Sequence, residues 1–144
     1  MHPGFVKPRY DSGGFAGIPD RIKESFASDN YDAVVLFLVD GFGWRFFERF
    51  QDAPFIKRFA RNGRIEKLTS QFPSTTAAHL TTIHTGWNVG QSGVYEWYYY
   101  EPQLDAIISP LLFSYSGSEY RENLKSTGIN PQLLFPRGIL YPEL

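Results

Sequence analysis

The chain has 144 residues, a formal net charge of −1 and no cysteine. This length allows one compact core and is too short for two ordinary domains. The lack of cysteine excludes disulfides and thiolate metal sites, and the balanced charge without a basic cluster predicts no nucleic-acid surface. No apolar run reaches the roughly 20 residues that span a bilayer, and the N-terminus lacks the apolar core of a signal peptide. These features predict a cytoplasmic protein that spans no membrane.

Residues 1–17 are polar and rich in glycine and proline, which predicts an irregular lead-in. A short helix is expected from Pro19 to about Ala27, because proline is tolerated in the first turn of a helix. The near-continuous apolar run 33–39 is typical of a strand buried on both faces of a parallel sheet. Asp40 follows it directly and would lie at the carboxyl end of that strand, where open α/β sheets bind ligands.

Two aromatic-rich segments follow, and both have the spacing of helices. Residues 44–50 and 54–61 each carry phenylalanines that recur one turn apart, so we expect two helices that pack their aromatic faces on the sheet. Asp52 is a candidate cap for the second helix, and Asn62-Gly63 would end it. Residues 64–70 alternate as a second strand. The order strand, helix, strand, helix predicts a unit of a parallel sheet.

The next stretch is a turn that leads into a helix. Pro73 favours an extended residue before it, Ser74 or Thr75 can cap the helix, and Gly86 is a plausible stop. Free N–H groups in the first turn of such a helix bind phosphate or sulfate well. The alternative is an ordinary capped helix with a threonine-rich polar face.

Three short motifs in this order carry a resemblance to a known family. They are Val39-Asp40-Gly41 after the apolar run, Phe72-Pro73-Ser74-x-Thr76, and Thr85-Gly86. Together they resemble the alkaline phosphatase superfamily, and most closely its type I phosphodiesterase/nucleotide pyrophosphatase group. The resemblance covers roughly residues 30 to 100. It implies an α/β fold, a three-layer sandwich with a mainly parallel sheet, of which residues 1–144 would form the incomplete N-terminal part of one catalytic domain.

The resemblance also implies a reaction and a site. Asp40 would bind a metal, and Thr76 would be both a metal ligand and the covalent nucleophile. Thr75 is the alternative nucleophile if the turn is one residue out of register. The family uses two divalent metal ions, usually zinc, to hydrolyse phosphoric diesters or nucleotide pyrophosphates through a phosphoryl-threonine. The remaining metal ligands are expected outside this chain, and the implied partner is a small-molecule phosphoric ester or nucleotide.

Substrate-binding roles are expected for Thr75, His79 and Trp97. His79 lies one turn after Thr76 and could reach the phosphate or orient a carboxylate, although a purely structural role is the alternative. Trp97 stands where the nucleotide pyrophosphatases carry an asparagine that binds a phosphoryl oxygen, and Ser92 replaces a family histidine. These two departures weaken the transfer of the family's substrate preference to this chain.

The C-terminal part carries weaker signals. The aromatic run 95–100 is either a strand or part of a pocket wall. Residues 107–113 are expected as apolar anchors in a loop, 118–126 as a short helix ended by Gly128, and the tail as irregular. Two other functions remain open. One is a non-catalytic module that binds an anion or a partner, and the other is a phosphomonoesterase, sulfatase or phosphomutase on the same scaffold.

Overall fold

The computed structural model describes residues 5–28, 31–138 and 140. Helices and a small sheet are both present, so the α/β class is confirmed. The helices are α1 (Ile18–Ala27), α2 (Trp44–Phe50), α3 (Pro54–Asn62), α4 (Thr76–Thr85) and α5 (Val89–Ser92), and the strands are β1 (Tyr99–Glu101), β2 (Ala106–Ser109) and β3 (Ser114–Tyr115). Short 3-10 turns lie at Phe15–Gly17, Asn123–Thr127 and Pro131–Leu133. The first four helices lie where the sequence predicts them, whereas α5 was not predicted.

The sheet is a three-stranded antiparallel meander in the order β1-β2-β3. Tyr99 pairs with Ile108, and Ile108 pairs on its other side with Tyr115. The predicted strand over 95–100 therefore forms only from residue 99 onward. The predicted loop over 107–113 is wrong in its first part, because Ile107 and Ile108 are strand residues with apolar partners on the neighbouring strands.

No parallel sheet is seen among residues 5–28, 31–138 and 140, so the prediction of a mainly parallel sheet is wrong there. The predicted strands 33–39 and 64–70 lack regular structure, and the second makes one isolated parallel bridge, between Thr69 and Gly14. Phe37 is 81% exposed, and most other residues of the run 33–39 are also exposed. An apolar run favours a strand but supplies no partner, and a strand forms only when another backbone lies beside it.

Helix α4 lies at the centre of the N-terminal packing. The Thr75 side chain caps it by accepting from the Ala78 N–H at 3.4 Å, and Gly86 ends it in the left-handed conformation, with φ of 75°. Thr75 was one of the two predicted caps, and Gly86 was the predicted end of the helix. One face of α4 is buried against α1, the turn before α1, and α5. This packing fixes the direction in which the first turn of α4 points.

A second core covers one face of the antiparallel sheet. Its buried members are Tyr99, Ile108, Leu124 and Leu134. Leu124 comes from the 3-10 turn Asn123–Thr127, which replaces the short helix predicted over 118–126 and ends at Gly128 as expected. This core shares no member with the buried face of α4, so the described residues have two packing centres.

Helices α2 and α3 have no buried residue, which contradicts the prediction that their aromatic faces pack on a sheet. Phe55 is 74% exposed and packs edge-on with Phe59, at 5.0 Å between ring centroids. Asp52 does not cap α3 but pairs with Lys57 at 2.8 Å. No helix within the described ranges is long and apolar enough to cross a membrane.

Candidate phosphoryl-transfer site

A cleft of about 920 Å³ opens at the first turn of α4. Its walls come from the turn after residue 39, from residues 65–70, from the start of α2 and from the loop after α5. All of the residues assigned to the site from the sequence line this cleft: Asp40, Thr75, Thr76, His79 and Trp97. The cleft is therefore the place where their chemistry can be combined.

Asp40 and Thr76 are hydrogen-bonded in the cleft. The Thr76 hydroxyl donates to Oδ2 of Asp40 at 3.0 Å, although the residues are 36 positions apart in the sequence. Asp40 lies in a tight turn in which the Phe42 N–H donates to the Val39 carbonyl at 3.3 Å, and Gly41 has a φ of 71° that favours glycine. Thr76 is the first residue of α4, so its hydroxyl lies beside the free N–H groups of that turn.

Thr75 uses its hydroxyl within the fold. Its Oγ1 accepts from the Ala78 N–H and donates to the Tyr95 carbonyl at 3.3 Å. Both the lone-pair side and the proton of this hydroxyl are therefore engaged. Thr76 has its hydroxyl aimed at a carboxylate instead, and this difference favours Thr76 over Thr75 as the nucleophile.

His79 is half-buried in the wall of the cleft. Its ring packs against Phe15 with 4.2 Å between centroids, and the Gln71 backbone N–H donates to Nε2 at a long 3.5 Å. Burial lowers the pKa of His79, while the Asp40 charge raises it by a smaller amount. A neutral ring that accepts at Nε2 carries its proton on Nδ1. The ring therefore has structural contacts as well as a position on the cleft wall.

Trp97 and Glu96 line the cleft on the side of the loop after α5. Glu96 accepts from the Trp97 backbone N–H at 2.7 Å, so the two residues form a local turn. Ser92, where the family carries histidine, instead accepts from the Val94 N–H at 3.2 Å and ends α5. It does not line the cleft.

The cleft residues that α2 contributes were not assigned to the site from the sequence. Trp44 and Phe47 line the cleft with ring centroids 4.8 Å apart, and the Lys67 ammonium lies 5.6 Å from the Trp44 ring centroid. Both aromatics face the cleft because α2 starts only four residues after Asp40. Their position shortly after Asp40-Gly41 in the sequence could have indicated a place at the site, but their helical spacing favoured a buried core.

Glu66 also lies on the cleft wall, held by Arg21 and Arg64. The hydrogen bond from Arg21 lowers the pKa of Glu66, so this carboxylate is kept charged and paired. Asp40 is the carboxylate that contacts the candidate nucleophile.

Asp40 and Thr76 suit a hard divalent cation, since both present oxygen donors. A catalytic zinc ion normally takes three protein ligands. Within the described part of the chain no group of three or more histidine, aspartate or glutamate residues could hold a metal ion. Asp40 and Thr76 therefore fit as two ligands of a metal site and do not complete its ligand set.

Comparison with known proteins identifies a family for this chain. The family model described as type I phosphodiesterase/nucleotide pyrophosphatase matches residues 34–111, more than half of the chain. The chain belongs to this family, and the match contains both Asp40 and Thr76. No curated protein and no solved structure matches the chain.

Proposed function

We propose that this protein is a hydrolase of phosphoric esters, a phosphodiesterase or nucleotide pyrophosphatase, with Thr76 as its nucleophile. The observation that carries the proposal is the 3.0 Å hydrogen bond from the Thr76 hydroxyl to Asp40, in a cleft of a chain that belongs to this family. The substrate class is a small molecule, because a cleft of about 920 Å³ lies in the size range of small-molecule pockets.

The chemistry assigned to the chain's own residues is orientation and proton acceptance. The bond to Asp40 aligns the Thr76 hydroxyl and leaves its oxygen lone pairs open to the cleft. In the first step the Thr76 oxygen forms a bond to phosphorus, the ester oxygen leaves with its electron pair, and the hydroxyl proton passes toward the Asp40 carboxylate. Water then hydrolyses the phosphoryl-threonine. The N–H groups of the first turn of α4 stabilise charge on the phosphoryl oxygens.

Asp40 and Thr76 are also the residues proposed to hold a divalent metal, in line with the two zinc ions that the family uses. A bound cation would supply charge neutralisation and a lowered pKa for the threonine hydroxyl. Its further ligands are not among the described residues. A three-layer, alkaline phosphatase-like arrangement of the domain is part of this proposal.

Hydrolysis of bis-p-nitrophenyl phosphate with and without added zinc tests the proposal. Thr76→Ala is expected to lower the rate by roughly a thousandfold or more, the scale on which the loss of a nucleophile acts. Thr85→Ala, at the other end of α4 and away from the cleft, is the matched control. Mass spectrometry of acid-quenched enzyme should locate the phosphoryl group on Thr76. Wild-type activity in Thr76→Ala would overturn the assignment, and a phosphoryl group on Thr75 would move it by one residue.

A second candidate function is a non-catalytic module that binds an anion or a partner. The incomplete donor set at Asp40 and Thr76 favours it. Calorimetry with zinc separates the two, because tight zinc binding counts against the module and no turnover with any metal counts for it. Parallel assays with p-nitrophenyl phosphate and p-nitrophenyl sulfate show whether a monoesterase or a sulfatase uses this scaffold instead.

A further inference from the structure

Gln71 is a buried polar residue with an unusual set of partners. Its side chain is only 1% exposed. Its Nε2 donates to Thr82 Oγ1 at 2.7 Å, and its Oε1 accepts from the Val89 N–H at 2.8 Å. Its backbone N–H donates to His79 Nε2 at 3.5 Å. One residue thus connects the segment before Pro73 to the middle of α4 and to the start of α5.

Both elements that Gln71 joins supply residues to the cleft. Helix α4 carries Thr76 and His79, and the chain after α5 carries Trp97. Thr82 in turn donates to the Trp87 carbonyl at 2.8 Å, so the link extends into the loop between the two helices. A second hydrogen bond, from the Thr75 hydroxyl to the Tyr95 carbonyl, joins the loop after α5 to the residue that caps α4.

We infer that Gln71 is a positioning residue, which sets the distance between the first turn of α4 and the Trp97 side of the cleft. Its catalytic consequence depends on the proposed function, but its geometric consequence does not. The Gln71 amide satisfies both contacts at once, since it carries a donor and an acceptor. Thr82 Oγ1 uses its proton on Trp87 and so needs a donor, while the Val89 N–H needs an acceptor.

A buried amide with both ends satisfied holds its neighbours more tightly than apolar packing does, since loss of either bond leaves an unpaired polar group. The side chain therefore allows one relative placement of α4 and α5. A methionine of similar size would fill the space but would let the two helices shift. A misplacement of about 1 Å near a reacting group can cost about a hundredfold in rate.

The test uses the full chain labelled with 5-fluorotryptophan. The fluorine resonances of Trp44, Trp87 and Trp97 are assigned from single tryptophan-to-phenylalanine variants. Gln71→Met is the main variant and Gln103→Met, at an exposed glutamine, is its matched control. Leu124→Ala destabilises the second core and leaves the Gln71 side-chain bonds in place, so it shows how far lowered stability moves the Trp97 resonance.

Gln71→Met is expected to shift or broaden the Trp97 resonance and to leave the Trp44 resonance in place. It should also lower kcat for bis-p-nitrophenyl phosphate roughly tenfold to a hundredfold and change KM less. Leu124→Ala and Gln103→Met should show neither change while folded.

An unchanged Trp97 resonance in Gln71→Met, or the same shift in Leu124→Ala, overturns the inference. If Gln71→Met does not fold, Thr82→Val is judged by the same criteria. It removes one of the two side-chain bonds of Gln71, together with the Thr82 bond to the Trp87 carbonyl. A wild-type chain without activity refutes the proposed function, while the Trp97 resonance still decides the role of Gln71.

Discussion

The Thr76 hydroxyl donates to the Asp40 carboxylate at 3.0 Å, and this bond joins the first turn of α4 to the turn that precedes α2. Asp40 is exposed, and Thr76 is partly exposed. The bond therefore contributes little to stability, and its consequence lies in the orientation of the hydroxyl. This separation of stability from activity makes the pair easy to test.

Asp40→Asn keeps the shape of the side chain and removes its charge. We expect hydrolysis to fall by roughly a hundredfold, because the hydroxyl loses its proton acceptor and the proposed cation loses a ligand. The free energy of unfolding should change by less than about 0.5 kcal/mol, as for other exposed positions. Kinetics and denaturant titration measure the two quantities, with Asp105→Asn as the control for the same change outside the cleft. A large loss of stability together with normal activity would contradict this assignment.

Thr75→Ala removes the side chain that caps α4. We expect a loss of about 1 kcal/mol in the free energy of unfolding, because the Ala78 N–H loses its partner. Ser74→Ala is the control, since Ser74 is exposed and does not cap the helix. Equal denaturant midpoints for the two variants would show that the cap is unimportant.

Gly86→Ala should cost about 1 kcal/mol or more, because a side chain in the left-handed conformation is strained. A Cβ at Gly86 would meet only the Pro19 Cβ, at an ordinary 4.0 Å, so the cost is conformational and not steric. Gly43→Ala is the matched control, with φ of −87° and open space around the added atom. Thermal unfolding of both variants measures the difference, and an equal decrease would argue against a conformational origin.

Tyr99 provides a prediction about alkaline pH. Burial raises the pKa of its phenol to about 12, with smaller contributions from Glu101 and Tyr95. Below pH 10.0, the ordinary value, the phenol is protonated in both the folded and the unfolded chain. As the pH rises from there toward 12, the unfolded chain releases the proton first, so Tyr99 lowers stability progressively across that window. Denaturant midpoints across this range should fall less steeply in Tyr99→Phe than in the wild type, and parallel curves would contradict the shift.

The open aromatic faces of α2 and α3 predict self-association. Phe55 and Phe59 are largely exposed, and apolar patches of this kind favour contact with other molecules. We expect the chain to elute as oligomers or to be poorly soluble, and the double variant Phe55→Ser, Phe59→Ser to move toward monomer. Size-exclusion chromatography with light scattering measures this, with Tyr120→Ser as a control at an exposed aromatic outside these helices. A wild-type chain that stays monomeric at all concentrations would refute it.

Local signals in the sequence were sufficient for α1 to α4. Pro19, Thr75 and Gly86 act through the backbone of their own turns, so their effect can be read without the rest of the fold. The motif residues Asp40 and Thr76 could also be recognised without the fold, because the order of their motifs along the chain indicated the family. Helix α5 was missed, although Asn88 and Gln91 form a capping box that the sequence displays.

Pairing between distant segments could not be read in this way. The run 33–39 favours a strand by composition, but a sheet needs a second backbone at hydrogen-bonding distance, and no strand in the described ranges pairs with this run. The phenylalanines of α2 and α3 show the same limit, since their helical spacing indicates an apolar face without indicating what covers it.

The sequence by itself therefore determined where most helices begin and end, which residues carry the candidate chemistry and to which family the chain is related. Only the tertiary structure decided that Asp40 accepts from Thr76, that Thr75 is committed to capping, and that Gln71 joins α4 to α5. The physical reason is the range of the interactions. Caps and turns act within a few residues, whereas these contacts depend on how separate elements pack, and many packings are compatible with the same local pattern.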